Sequence, residues 1–318
     1  MEIFNTYIFK KTAMIVGLVA VVFMSSCKKD DDDVMPVTQS ITEIVLANNN
    51  FSLLRAALIQ AGLADVLAGK GNFTVFAPNN DAFVAAGLDT EAKIKALPVE
   101  TLKEILLYHV LDEKVISSAI ANASNMEVET LADEDVFITK NANGVFVNGA
   151  KVIQADIMAN NGVIHVINTV LMPPAGNIVQ VAQANPNFTF LVAAVLRASQ
   201  GSINVAQVLS GDGPFTVFAP TNQAFINAGF ANIDAIRAAD PAVLTSILTY
   251  HVVASRVLSA DLTEGAKPAT VNGEAVTITL TGGAKVKGNK NASAAMITAA
   301  DMVTSNGVIH VIDQVLLP

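Results

Sequence analysis

The apolar positions of this chain change period as it runs, and they do so twice in the same order. Phe51, Leu54, Leu58 and Ala61 recur at helical spacing and predict a helix. FTVF at 73–76 is short and rich in β formers, so it predicts a strand. Ala77-Pro78 stops that strand, because proline donates nothing to a ladder and biases its predecessor toward extended geometry. Asn79, Asn80 and Asp81 are turn and cap residues that open a short helix carrying Phe83. Leu102, Ile105, Leu106 and His109 form one stripe of a further helix, and Thr101 and Glu104 have the spacing of a capping box at its start. VFITKNANGVFV at 136–147 alternates with period two around Asn143-Gly144, the signal of a type I′ hairpin. Asn161-Gly162 followed by VIHVI predicts a closing hairpin.

The second pass repeats the first. FTVFAPNNDAF at 73–83 returns as FTVFAPTNQAF at 215–225, with Pro220 in the place of Pro78. LLYHVL at 106–111 returns as LTYHVV at 248–253, and the stripe Leu244, Ile247, Leu248, His251 repeats with it. There Asp240-Pro241 supplies an N-cap and a proline at the first helical position. The segment 156–173, which ends NGVIHVINTVLMP, returns at 301–318 as NGVIHVIDQVLLP. Blocks this long are tandem domains, and the few extra residues of the second copy fall between elements, where insertions are cheap. Helices first and an antiparallel sheet system after them define an α+β class. The joint MPPAGN at 172–177 carries two prolines and restricts the orientations open to the two halves.

The N-terminus stands outside this pattern. Lys10 and Lys11 precede an apolar run from Ala13 to Met24, the form of a secretory signal and too short for a comfortable membrane span. Met24-Ser25-Ser26-Cys27 then resembles the lipobox of bacterial lipoproteins, with Met in place of the usual Leu. Cys27 is the single cysteine of the chain, so it cannot be half of an internal disulfide, and lipidation there would anchor the protein to a membrane. The following KKDDDDVMPV is a solvated tether, because four successive Asp repel one another. Its basic-then-acidic start resembles the surface-export signal of Bacteroidetes lipoproteins. The expected organisation is a signal peptide at 1–26, a lipidated Cys with its tether at 27–37, and domains at 38–173 and 174–318.

Charge and candidate chemistry narrow the function. The formal charge of −9 lacks the clustered Lys and Arg that a nucleic-acid backbone requires, so no nucleic-acid partner is expected. The four histidines, His109, His165, His251 and His310, all fall inside the repeated motifs and read as packed, hydrogen-bonded side chains. They show no HxH or HxxxH spacing, so neither a metal site nor a cofactor is expected. GxSxG, HExxH, GxGxxG and phosphate-loop motifs are missing from the sequence, so no catalytic residue is assigned.

FTVFAPxNxAF, a helix ending in YHV, and NGVIHVI followed by VL-x-P resemble the fasciclin (FAS1) domain, in order and in both copies. The resemblance implies two wedge-shaped antiparallel β-sandwiches with helices along one edge. It also implies an extracellular or surface-anchored, non-enzymatic adhesion role toward polysaccharide, matrix or protein partners. Tyr108, His109, Tyr250 and His251 become a candidate partner-contact or structural element. Pro78, Pro220, Asn161, Gly162, His165, Asn306, Gly307 and His310 are structural motif positions. The family's Asp after VIHVI is kept as Asp313 but is Asn168 in the first copy, which weakens a charged hydrogen bond there to a neutral one. The expectation is therefore an outer-membrane lipoprotein exposed at the cell surface. The alternative is a periplasmic structural or envelope-stress lipoprotein.

Overall fold

The computed structural model describes residues 38–201 and 203–318. The signal peptide, Cys27 and the tether lie outside them. Residues 37–318 make one compact unit.

The first half opens with the helices Ile41–Ala47 and Ser52–Ala61, and a shorter one at Ala64–Ala68. Its strands are β1 (Phe73–Pro78), β2 (Val110–Leu111), β3 (Met126–Glu129), β4 (Asp135–Asn141), β5 (Gly144–Val147), β6 (Ala150–Ala159) and β7 (Gly162–Ile167). They form one sheet in the order β2-β1-β7-β6-β5-β4-β3. The second half repeats the helices as Ile178–Ala184, Thr189–Ala198 and Val205–Leu209. Its strands are β8 (Phe215–Pro220), β9 (Val252–Val253), β10 (Thr277–Thr279), β11 (Lys285–Lys287), β12 (Ala295–Thr304) and β13 (Gly307–Ile312). Their order is β10-β11-β12-β13-β8-β9.

The α+β class stands, and one detail of the expected sandwich is corrected. One pair in each sheet, next to the short edge strand β2 or β9, is parallel: Phe73 to Pro78 run beside Gly162 to Ile167, and Phe215 to Pro220 beside Gly307 to Ile312. The first strand of each pair follows the opening helices and the second closes the copy, and everything between them forms the long crossover that a parallel pair needs. Parallel strands are buried on both faces and read as unbroken apolar runs. FTVFAP and GVIHVI do so except at the buried Thr74 and His165 and their counterparts Thr216 and His310. Val75, Ala77, Ile164 and Val166 pack beneath the helices, whereas Phe76 and Ile167 join Val136, Ile138 and Val147 on the opposite face. Each sheet therefore curls over itself instead of stacking as two separate sheets.

Two local expectations also change. The helix carrying Leu102 begins at Val99 after Pro98, so Thr101 lies inside it and makes no capping box. Proline's fixed φ sets the start there instead. The turn between β4 and β5 is not type I′, because Ala142 and Asn143 keep negative φ and only Gly144 is positive, at 124°. The Asn141 carboxamide holds that turn by accepting the Asn143 N–H at 2.8 Å. The Asp240-Pro241 start appears as read, with the Asp240 side chain capping Ala242 N–H.

The two ends of each copy meet at one buried asparagine. Asn161 accepts from the Ile41 N–H at 2.9 Å and donates to the carbonyls of Leu67 and Gly69, both at 2.8 Å. Asn306 does the same with Ile178 N–H, Leu209 and Gly211. The next residue must be glycine, because a Cβ on Gly162 or Gly307 would overlap the carbonyl of Phe73 or Phe215 on the parallel neighbour. Asn306→Ala strands one amide and two carbonyls in the interior. Since each buried orphan costs about 1–3 kcal/mol, urea unfolding is expected to show a loss of at least about 3 kcal/mol. A change within 0.5 kcal/mol, roughly the scatter of surface substitutions, would refute the role.

Candidate functional site

The helix Val99–Leu107 and its counterpart Pro241–Tyr250 deliver Tyr-His to the same corner of each half. Tyr108 and Tyr250 are fully buried, and His109 and His251 are 3% and 1% exposed. The Tyr108 hydroxyl donates to the Asp135 carbonyl and accepts from Asn148 Nδ2, and burial pushes its pKa up to about 12. Tyr250 bonds the Ala275 carbonyl and the Asn289 N–H in the same way. His109 Nε2 accepts the Leu171 N–H at 2.9 Å, which leaves Nδ1 to donate to the Ile105 carbonyl at 2.7 Å. His251 makes the equivalent pair with Leu316 and Ile247. The ring ties the Tyr-His helix to the segment after the last strand. The surface-contact reading of Tyr108, His109, Tyr250 and His251 therefore meets burial, and the bonding supports the structural one.

The strand histidines organise a second corner that sequence reading missed. His165 Nδ1 accepts the Asp156 N–H and Nε2 donates to the Val115 carbonyl. Asp156 sits at φ 59° on a bulge in β6, and its carboxylate accepts from the Ser117 N–H and hydroxyl. Ser259, Asp301 and His310 repeat this arrangement. Ser, Asp and His thus meet twice, but not as a nucleophilic triad. The hydroxyl bonds the carboxylate, and both ring nitrogens are engaged with backbone, so no base faces the serine. The signal was present in the repeat itself, since Ser117/Ser259 and Asp156/Asp301 recur at corresponding positions. Among the described residues, no group of three His, Cys, Asp or Glu side chains is placed to hold a metal.

Pro78 and Pro220 end the first parallel strands as read. Asn168 and Asp313 each cap a strand start, accepting from the N–H of Lys151 at 2.9 Å and of Met296 at 2.7 Å. The caps correspond, and only the second is charged.

The Fasciclin domain family model matches residues 49–173 and 186–318. The chain belongs to the fasciclin-domain family. It is 28% identical over 254 residues to the transforming growth factor-beta-induced protein ig-h3 of Sus scrofa and 31% identical over 259 residues to human periostin. These matches span 79% and 80% of this chain but only 35% and 29% of those proteins. A solved FAS1 domain pair from the insect cell adhesion molecule Fasciclin I covers 84% of this chain, at 19% identity and a TM-score of 0.41, and spans 96% of that structure.

The two fasciclin copies meet through different residues of each. The Arg256 guanidinium of the second lies over the Phe137 ring of the first, 3.6 Å from its centroid, and donates to the Gly307 carbonyl. Thr139 donates to Asp261, Asn141 to the Ala260 carbonyl and Asn125 to the Arg256 carbonyl. Phe137, Leu258 and Val308 form a small apolar cluster across the joint. Gly149 lies so close to Asp301 that a Cβ would overlap its carboxylate. The Asp301 side chain is consequently 13% exposed, against 33% for Asp156. Burial raises the pKa of Asp301 and lowers that of His310, so both lean toward their neutral forms.

Burial lowers His109 and His251 to about 4 from an ordinary 6.5, although the bonds to Ile105 and Ile247 resist the shift. The unfolded chain therefore binds the extra protons first. The stability these histidines contribute is complete above about pH 6.5 and is lost as pH falls toward 4, by about 2 kcal/mol per histidine near pH 5. NMR titration checks this directly: neither imidazole should titrate between pH 7 and about 5 while the protein stays folded. At the joint, Arg256→Ala with Phe137→Ala removes a cation–π contact of about 0.5–2 kcal/mol and its apolar seat. Small-angle scattering should then show a larger radius with unchanged circular dichroism. An unaltered radius would mean that the remaining hydrogen bonds hold the pair.

Proposed function

We propose that the chain is a non-catalytic adhesion or binding protein of the cell envelope. It is held by lipid on Cys27 in the outer membrane and presents two docked fasciclin domains outward to a surface polysaccharide, matrix component or protein. The observation that carries this reading is that the repeated polar residues are bonded within the fold. Tyr108, His109, Asn161, His165 and their counterparts all face inward. What the molecule has to offer a partner is therefore the outer surface of a domain pair, not a reactive cleft. Family membership across both halves supports a binding role of the adhesion type. The apolar run before Cys27 and the acidic tether after it support anchoring and reach.

The full chain carrying Cys27→Ser, probed on a glycan array and by pull-down from envelope extract, is expected to retain at least one surface polymer or envelope protein above a control. A deletion strain is expected to adhere less well. Retention of nothing together with normal adhesion would overturn the binding role. Protease treatment of intact cells tests the address separately: digestion before the outer membrane is breached is expected, and protection until it is breached places the protein in the periplasm.

A further inference from the structure

In the second half, the helices Ile178–Ala184 and Thr189–Ala198 part over a cavity that the first half has closed. It runs between them down to β8, against Leu209, Val217 and Ile309. Its volume is about 40 Å³, four times the 10 Å³ of the matching space among Ile41, Leu54 and Val75. A water-sized group needs roughly 10–15 Å³ of such space, so the cavity has room for the last few carbons of a chain and no more.

Three differences between the copies open it. The capping boxes at Ser40 and Asn177 set a common register for the two helix pairs. In that register Val45 corresponds to Ala182, Leu58 to Val195 and Arg55 to Val192. Val45 and Leu58 fill the first copy at 1% and 2% exposure. Ala182 and Val195 are shorter and only half-buried. In the first copy the Arg55 guanidinium straps the second helix to the first by donating to the Leu46 carbonyl at 3.2 Å. Val192 makes no such strap, and Leu196 stands at the lip 54% exposed.

The lining selects its occupant. No charged side chain faces the cavity. Its one titratable residue, His251, has both ring nitrogens bonded to backbone. Gln183 lies at the mouth, where it meets water. A sugar or a charged group placed inside would lose its hydration without a partner, whereas an apolar chain gains contacts that an empty cavity forfeits. We propose that this cavity binds the end of a hydrocarbon chain, with the polar head of the fatty acid or lipid left in solvent beside Gln183.

The test uses the full chain carrying Cys27→Ser, so that no lipid of its own competes. A fatty acid with a photoreactive diazirine at its methyl end forms one arm. Vesicles containing a phosphatidylethanolamine labelled at the same place form the other. Mass spectrometry is expected to place the label between Val179 and Leu196 in at least one arm, and the arm that labels identifies the source of the chain. Ala182→Val with Val195→Leu, which restores the filling of the first copy, should reduce labelling at least tenfold while the thermal midpoint stays level or rises. Should that variant misfold, Val45→Ala with Leu58→Val and Arg55→Val decides the matter, because it should create a second labelled segment in the first copy. Labelling confined to other segments, labelling undiminished in a folded filled variant, or no labelling in either arm overturns the proposal.

Discussion

Each half depends on bringing the two ends of a long stretch of chain side by side. A parallel strand pair whose partners lie far apart in the chain gains its ladder only after the whole intervening stretch has been closed. The buried carboxamide of Asn161 or Asn306 fixes that closure in register. Its acceptor takes the first helix, its two donors take the end of the third helix, and its backbone opens the last strand. The glycine after it lets the neighbouring carbonyl approach, so the asparagine and the parallel ladder are one constraint. The histidines add a second tie across the same closure, from the Tyr-His helix to the residues after the last strand.

Much of this was legible because the repeat supplied its own control. FTVFAP kept its run of β formers and its proline in both copies, so a strand and its stop could be read twice. The parallel pairing could not, since an unbroken apolar run says that a strand is covered on both faces but not which way its neighbour runs. Thr101 and Glu104 matched a capping box by spacing alone, and Pro98 started the helix earlier. Tyr-His fitted a contact patch or a packed helix end alike, because tyrosine has an apolar body and a polar tip. Only the structure shows the acceptor waiting for each hydroxyl. Ser117 and Asp156 lie 39 residues apart, and their meeting depends on a bulge with left-handed backbone, which no local pattern announces.

Where the copies differ, the differences cluster at places with different neighbours. The Tyr108 and Tyr250 hydroxyls bond Asp135 and Ala275, which aligns Phe137 with Thr277. Val115 and Val257 both donate to the threonine of the first strand, which aligns Lys114 with Arg256. The aromatic ring thus stands only on the first copy and the guanidinium only on the second, on the two sides that meet. A head-to-tail contact between tandem domains could in principle extend from molecule to molecule. Here the outward-facing ends present Lys114 and Thr277, so the contact made inside the chain is not available for repetition outside it. The joint closes on one pair, because the ring and the guanidinium that make it stand on opposite copies.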